Sequence, residues 1–372
     1  MAAATTAATT VPDVAAGAGW IGARLEDLDT PAPMIDLDVM EGNIARMQAA
    51  CDALGLRFRP HIKTHKIPAI AALQRAAGAH GLTAQKTTEA GVFAAAGFDD
   101  LLIAVPPVGR HKVARLCDLA ERVTVATVVD SVAAARMIAE GAAERGVSVG
   151  VFVELDSGMG RAGVQTGDEA AALARTITEL PGVHFAGLFF YPSRDEVAGR
   201  LAAARESLDR AGIAVPVVSG GGSQAHARSA ALGATEHRAG TYLFNDASYV
   251  RKGIATLDQC ALSVAVTVVS AAVPGVVTVD GGLKTFTNDF LSPPGEGIGM
   301  VLDRPGLKLV RMSEEHGVVE VAEGTPRPRV GEMLRVVPNH ACGCVNMHPA
   351  LFGMRNGAVE VVWPVAARGT LQ

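Results

Sequence analysis

The sequence predicts an α/β fold, a (β/α)8 barrel followed by an antiparallel β domain, and three observations carry that expectation. From residue 39 to about 240, short apolar strand-period runs alternate with helix-period runs. Apolar strands separated in this way belong to a parallel sheet buried on both faces. About eight such units in roughly 200 residues fit a closed barrel better than the alternative, an open doubly wound sheet. After about residue 250 the texture changes to β-branched runs punctuated by Gly and Pro.

Residues 1–28 read as a flexible tail, because “MAAATTAATTVPDVAAGAG” has neither a basic start nor a continuous apolar run. Residues 29–38 contain “APMIDLD”, a strand expected to join the C-terminal β domain (251–372), so that the barrel (39–250) is inserted between them. A helix at 39–54 leads to a strand near 57–62 and a helix at 68–77, with Pro68 in its first turn. “GLTAQ” precedes a helix at 87–96, with Thr87 as N-cap and Gly97 as stop. “LLIAV”, “VTVATVV”, “VGVFVEL”, “HFAGLFF” and “VPVVS” are the next strands. The helices between and after them fall at 110–121, 131–145, 167–178, 195–211 and 224–232, before a last strand near 235–239. No helical periodicity is expected in the C-terminal domain.

Lys+Arg 33 against Asp+Glu 38 gives a net charge of −5, so nothing points to nucleic acid or an anionic membrane. No apolar run reaches the roughly 18 to 20 residues that a membrane span needs. Cys51, Cys117, Cys260, Cys342 and Cys344 are odd in number and irregular in spacing, which predicts no disulfide framework and a reducing, cytoplasmic setting.

One segment stands out chemically. “RFRPHIKTHK” (57–66) puts Arg57, Arg59, His61 and Lys63 on one face of the first barrel strand, with Phe58, Pro60 and Ile62 on the other. Burying unpaired cations is strongly unfavourable, so an anionic partner is expected inside the barrel; a solvated edge strand is the bland alternative. Lys63 falls at the C-terminal end of the strand, where barrel enzymes place their chemistry. A lysine crowded by cations is a better nucleophile toward an aldehyde, which makes pyridoxal phosphate a candidate anion. “VPVVSGGGSQAHA” (215–227) offers Gly220, Gly221, Gly222 and Ser223 between a strand and a helix, a phosphate cradle by its position. His340 and Cys342 offer an imidazole and a thiolate on one face of a strand or loop. Cys344 lies on the same face as a third candidate.

Together these segments resemble the D-threonine aldolase and D-serine dehydratase family of fold type III pyridoxal-phosphate enzymes. “RPHIKTHK” is similar to the family's cofactor-lysine motif, which implies Lys63 as the Schiff-base residue and His61 beside the cofactor. “ELDSGMGRAGV” (154–164) implies Arg161 near the cofactor's phenolic oxygen, and “GLFFY” implies Tyr191 near its ring nitrogen. “SGGGS” and “RAGTYLFND” imply phosphate contacts from Ser219, Gly221, Gly222, Ser223, Gly240, Thr241 and Tyr242. “VDGGLKTFTND”, “SEEHGVV”, “VPNHACGCVNMH” and “VVWPVAARG” match as well. With the family, His340 and Cys342 become ligands to a divalent metal (Zn, Mn or Mg).

The resemblance implies a lyase acting on β-hydroxy-D-amino acids, as a homodimer. Retro-aldol cleavage to glycine and an aldehyde is favoured, with a D-serine or 3-hydroxy-D-aspartate dehydratase as the alternative. Two features depart from the aldolase pattern: Cys342 stands where a His-x-Asp motif often has its acid, and “YPSRDEVAGR” lacks the usual loop histidine. His65, His348 or a metal-bound water would then serve as base. A racemase would need a tyrosine from the β domain, yet Tyr191, Tyr242 and Tyr249 all precede it. A non-catalytic pyridoxal-phosphate carrier would resemble the barrel alone. His226 reads as a surface residue.

Overall fold

In the computed structural model, residues 18–288 and 296–372 are described. The expected tail through residue 17, and the last residue of “VDGGLKTFTND”, lie outside them. Residues 18–28, expected to continue the tail, form two 3-10 turns, Ala18–Trp20 and Leu25–Asp27. They are held because Leu28 is buried and the Trp20 ring stacks edgewise on Phe352 at 5.9 Å.

The first strand, β1 (Ala32–Asp36), pairs outside the barrel. The chain then enters eight parallel strands: β2 (Arg57–Phe58), β3 (Leu82–Ala84), β4 (Asp100–Ile103), β5 (Thr124–Val129), β6 (Val149–Leu155), β7 (Val183–Phe190), β8 (Val217–Gly221) and β9 (Glu236–Arg238). They hydrogen-bond in the order β2-β9-β8-β7-β6-β5-β4-β3. A parallel bridge between His61 and Thr83, with Thr83 N–H donating to Pro60 O at 2.8 Å, joins β2 to β3 and closes the barrel.

Alternation explains the packing. Leu101 and Ile103 face the surrounding helices, while Leu102 points inward with Val128, Phe152 and Phe189 to fill the barrel floor. Each such side chain contributes about 1.5–3 kcal/mol on burial. That floor leaves space only toward the C-terminal ends of the strands.

Local chemistry sets the helix ends. Ser131 Oγ accepts from Ala134 N–H to start Val132–Arg145, and Gly146 ends it in the left-handed region at φ 65°. Thr166 and Glu169 form a reciprocal capping box on Gly167–Glu179. Thr87 is not an N-cap: Lys86 holds that position, and the Thr87 hydroxyl donates to Gln372 O instead. The first barrel strand is also shorter than expected. Pro60 has no N–H to donate, and the chain turns into a 3-10 segment at Ile62–Thr64.

The second sheet contains β10 (Leu262–Ser270), β11 (Val276–Val279), β12 (Gly299–Val301), β13 (Leu307–Met312), β14 (Gly317–Val321), β15 (Met333–Pro338), β16 (Ala350–Arg355) and β17 (Ala358–Pro364). β1 lies within it, antiparallel to β10 and parallel to β16, the one parallel pair among its described strands. Two short helices interrupt it, Leu283–Phe286 and Ala341–Met347. Neither was expected, because segments of 4 and 7 residues are too short to show helical periodicity. Among the described residues, no helix is long and apolar enough to cross a membrane.

Candidate active site

A cavity opens at the C-terminal ends of the barrel strands. Lys63 enters it from the turn after β2, and its Nζ lies 5.8 Å from the centroid of the Tyr191 ring. Arg161 approaches the same ring at 5.4 Å. Its loop follows β6 and is shaped by Asp156, whose Oδ1 accepts from the N–H groups of Gly158, Met159 and Gly160, each at 3.1 Å.

His61 lines the wall as a neutral imidazole. Burial lowers its pKa first, and the charges of Lys63 and Arg238 lower it further. Its Nδ1 accepts from Lys63 N–H at 3.4 Å, and its Nε2 lies 3.2 Å from Gln85 Oε1. Gln85 is oriented by its Nε2, which donates to Ala104 O at 3.3 Å.

The opposite wall comes from the glycine-rich turn after β8 and the segment after β9. Gly222, Ser223, Gly240 and Thr241 all line the cavity. Ser223 Oγ accepts from Tyr242 N–H at 3.1 Å, which ties the two segments together. Gly222 sits at φ 130°, a conformation that a side chain rarely adopts. A Cβ on Gly240 would come within 2.5 Å of Thr64 Oγ1.

Several expected positions lie elsewhere. Ser219 is buried under the cavity, donating to Glu236 Oε1 at 2.6 Å and accepting from Arg238. Gly221 N–H is committed to Ser193 Oγ at 2.9 Å. The Tyr242 side chain turns away, its hydroxyl accepting from Gln74 Nε2 at 2.8 Å and its ring edge against Phe58. His65 is sealed in at 0% exposure, packed edgewise on Phe93, with Nδ1 accepting from Ile67 N–H. Burial pulls its pKa down to about 3. His348 is likewise buried and bonded to Thr285 O at 3.1 Å, so neither histidine faces the cavity.

Nor is the cationic face uniform. Arg57 is exposed. Arg59 is answered by the chain itself: Nε donates to Glu236 Oε2 at 2.7 Å, and its two terminal nitrogens donate to Asp100 at 2.8 and 3.0 Å. The expected anionic partner is therefore needed only above Arg59, where Lys63 stands.

His340 and Cys342 flank the first residue of helix Ala341–Met347, rather than alternating along a strand. Both line an outer cleft that also includes Lys63, Tyr191 and Thr241 and is contiguous with the cavity through them. Burial would raise the Cys342 thiol, but the His340 side chain, Thr64 and Lys63 bring its pKa below the ordinary value. Its Sγ lies 3.2 Å from Thr64 Oγ1. Cys344 points into the core, its Sγ donating to Thr285 O, and burial pushes its pKa to about 12. His226 is half-buried against His237 rather than on the surface.

Arg238, Gln85 and Tyr249 also line the cavity and were not anticipated. Arg238 packs its guanidinium 3.5 Å over the Phe189 ring and donates to Phe190 O at 2.9 Å. Burial lowers its pKa to about 9. Gln85 and Arg238 both stand at strand C-terminal ends, the signal that marked Lys63.

Residues 35–248 match the alanine racemase N-terminal domain, and residues 261–354 match a putative serine dehydratase domain. A D-threonine aldolase of Arthrobacter sp. is 38% identical, covering 94% of this chain and 95% of that protein. A D-threo-3-hydroxyaspartate dehydratase of Delftia sp. (strain HT23) is 38% identical over 87% of this chain and 93% of its own length. The crystal structure of a D-threonine aldolase from Filomicrobium marinum is 35% identical, with a TM-score of 0.85 over 95% of this chain and 99% of that one. With this barrel, this lysine-bearing cavity and relatives similar over nearly their whole lengths, the chain belongs to the D-threonine aldolase and D-serine dehydratase family of fold type III pyridoxal-phosphate lyases.

Proposed function

We propose that the protein is a pyridoxal-phosphate- and divalent-metal-dependent lyase that cleaves β-hydroxy-D-amino acids to glycine and an aldehyde. The observation that carries this reading is that Lys63, His340 and Cys342 face one cleft. An amine suited to holding an aldehyde cofactor and an imidazole–thiolate pair suited to a metal thus serve the same space.

The residues fit the cofactor. Gly222 and Gly240 let the wall segments pack closely, since a Cβ on either would meet Ala225 Cβ at 3.1 Å or Thr64 Oγ1 at 2.5 Å. Bound pyridoxal phosphate supplies an electron sink for the pair left on Cα when a bond to that carbon breaks. His340 and Cys342 would hold the metal, which supplies a Lewis acid toward the substrate's hydroxyl oxygen.

The chain's own groups account for the rest. Lys63 would carry the cofactor, and Gly222, Ser223, Gly240 and Thr241, which line the same cavity, would hold its phosphate. Arg161 and Tyr191, 5.4 Å apart, would stand beside its ring, toward the phenolic oxygen and the ring nitrogen. Neutral His61 lines the wall and accepts from Lys63 N–H. Among the titratable side chains of the outer cleft, Lys63, Tyr191 and Tyr249 also line the inner cavity, whereas His65 and His348 are enclosed.

A dehydratase is the second reading. It is favoured by the His340-x-Cys342 pair and by the Delftia dehydratase, of which a cysteine-to-alanine mutant is solved in a metal-free form. Incubation with D-threonine decides between them. Acetaldehyde and glycine, with L-threonine inert, are the expected products; ammonia and 2-oxobutyrate would make the protein a dehydratase.

A further inference from the structure

Asp246 joins two elements that the sequence keeps 95 residues apart. Its Oδ1 accepts from Ser248 Oγ at 2.7 Å and from Tyr249 N–H at 3.0 Å, capping the helix Ala247–Arg251. Its Oδ2 accepts from Ala341 N–H at 3.2 Å. Ala341 is the residue between His340 and Cys342 and the first of its helix. Capping alone does not require this second bond, because Asn or Ser would cap the short helix as well. A carboxylate only 1% exposed also carries a desolvation cost that these three bonds offset in part.

The other arm leads to the cofactor cavity. Tyr249 lines that cavity together with Ser223 and Thr241. One carboxylate therefore connects, through a single short helix, the wall that surrounds the cofactor and the segment that bears the metal-ligand pair.

We propose that Asp246 is a positioning residue: it latches the His340–Cys342 segment to the helix bearing Tyr249 and so sets the spacing between metal and cofactor. The geometry stands by itself; the consequence for the metal rests on the function proposed above. Substituting the latch should loosen the metal pair and leave the phosphate wall in place.

Two variants test this. Asp246→Asn keeps an acceptor for Tyr249 N–H but presents an amide to Ala341 N–H. Ala341→Pro removes that N–H while leaving Asp246 intact, at a first helical position where proline is tolerated. His340, at φ −138° and ψ 106°, already has the extended backbone that precedes a proline.

Two readouts avoid turnover. Iodoacetamide labelling of chelated protein reports on Cys342, the one half-exposed cysteine; the other four are buried. Equilibrium dialysis against Zn²⁺ reports on the metal pair. Both variants should label Cys342 roughly tenfold faster. Their Zn²⁺ half-saturation should rise about 10- to 100-fold, the usual cost of losing a group that orients a ligand. Pyridoxal-phosphate titration should stay within about twofold of wild type, as expected when the cavity wall is untouched.

Wild-type labelling and Zn²⁺ binding in Ala341→Pro would overturn the proposal, whatever the folding yield of Asp246→Asn. Faster labelling in both variants, with a wild-type protein that takes up no Zn²⁺, would support the latch and remove the metal from the proposed function.

Discussion

Arg59 Nε donates to Glu236 Oε2 at 2.7 Å across 177 residues of sequence, and the two side chains are 9% and 1% exposed. The barrel thus neutralises this buried cation internally. Burial alone would raise the Glu236 carboxyl, but the Arg59 charge and the Ser219 hydroxyl hold it below its ordinary value. Glu236→Ala should cost about 3–5 kcal/mol in urea unfolding, because it leaves Arg59 buried with only half of its partners. The sign with pH follows from the depressed carboxyl. Its contribution is complete above the ordinary value of 4.5 and is lost as pH falls below that, so wild type and Glu236→Gln should converge in stability on acidification.

Lys63 should be the residue that borohydride reduction tags in protein loaded with pyridoxal phosphate. It is the lysine shared by the inner cavity and the outer cleft. Peptide mapping of wild type and Lys63→Ala checks this, and a tag on Lys66 or Lys86 would contradict it.

Gly240→Ala probes the wall by shape alone. The added Cβ meets Thr64 Oγ1 at 2.5 Å and His61 O at 3.0 Å, both on the segment that carries Lys63. Overpacking of this kind costs about 1–3 kcal/mol. A fluorescence titration should show cofactor affinity reduced by about 10- to 100-fold, with the fold retained.

His65→Gln separates a structural histidine from a catalytic one. Losing a general base costs roughly 10²–10⁴ in rate. His65 lies behind the cavity wall at 0% exposure, so this variant should fall well short of that loss and show instead a lowered melting temperature. A full loss of turnover with an unchanged melting temperature would return His65 to the mechanism.

Chelation should abolish turnover while the cofactor's absorbance persists, because His340 and Cys342 line the outer cleft and not the inner cavity. Added Zn²⁺ or Mn²⁺ should restore activity to wild type and not to His340→Ala. Full turnover by metal-free His340→Ala would exclude the metal.

The barrel was readable in the sequence because its signal is local. The strands and helices announce themselves within about ten residues through apolar periodicity, and Pro68 marks a helix start by its own side chain. Lys63 and the glycine-rich turn were readable for a related reason: both stand at strand C-terminal ends, which a barrel directs to one mouth. Partnership was not readable. That Arg59 meets Glu236, that Asp246 bonds Ala341, and that His65 faces Phe93 while Lys63 faces the cavity depend on how closure brings distant segments together. The helix at Ala341–Met347 belongs to the same class, since 7 residues carry too little periodicity to outweigh their β-branched surroundings. Sequence alone determined the layers and the end of the barrel where the site lies. Which charges are cancelled there, and which remain to act, was decided by tertiary contacts that leave no local trace.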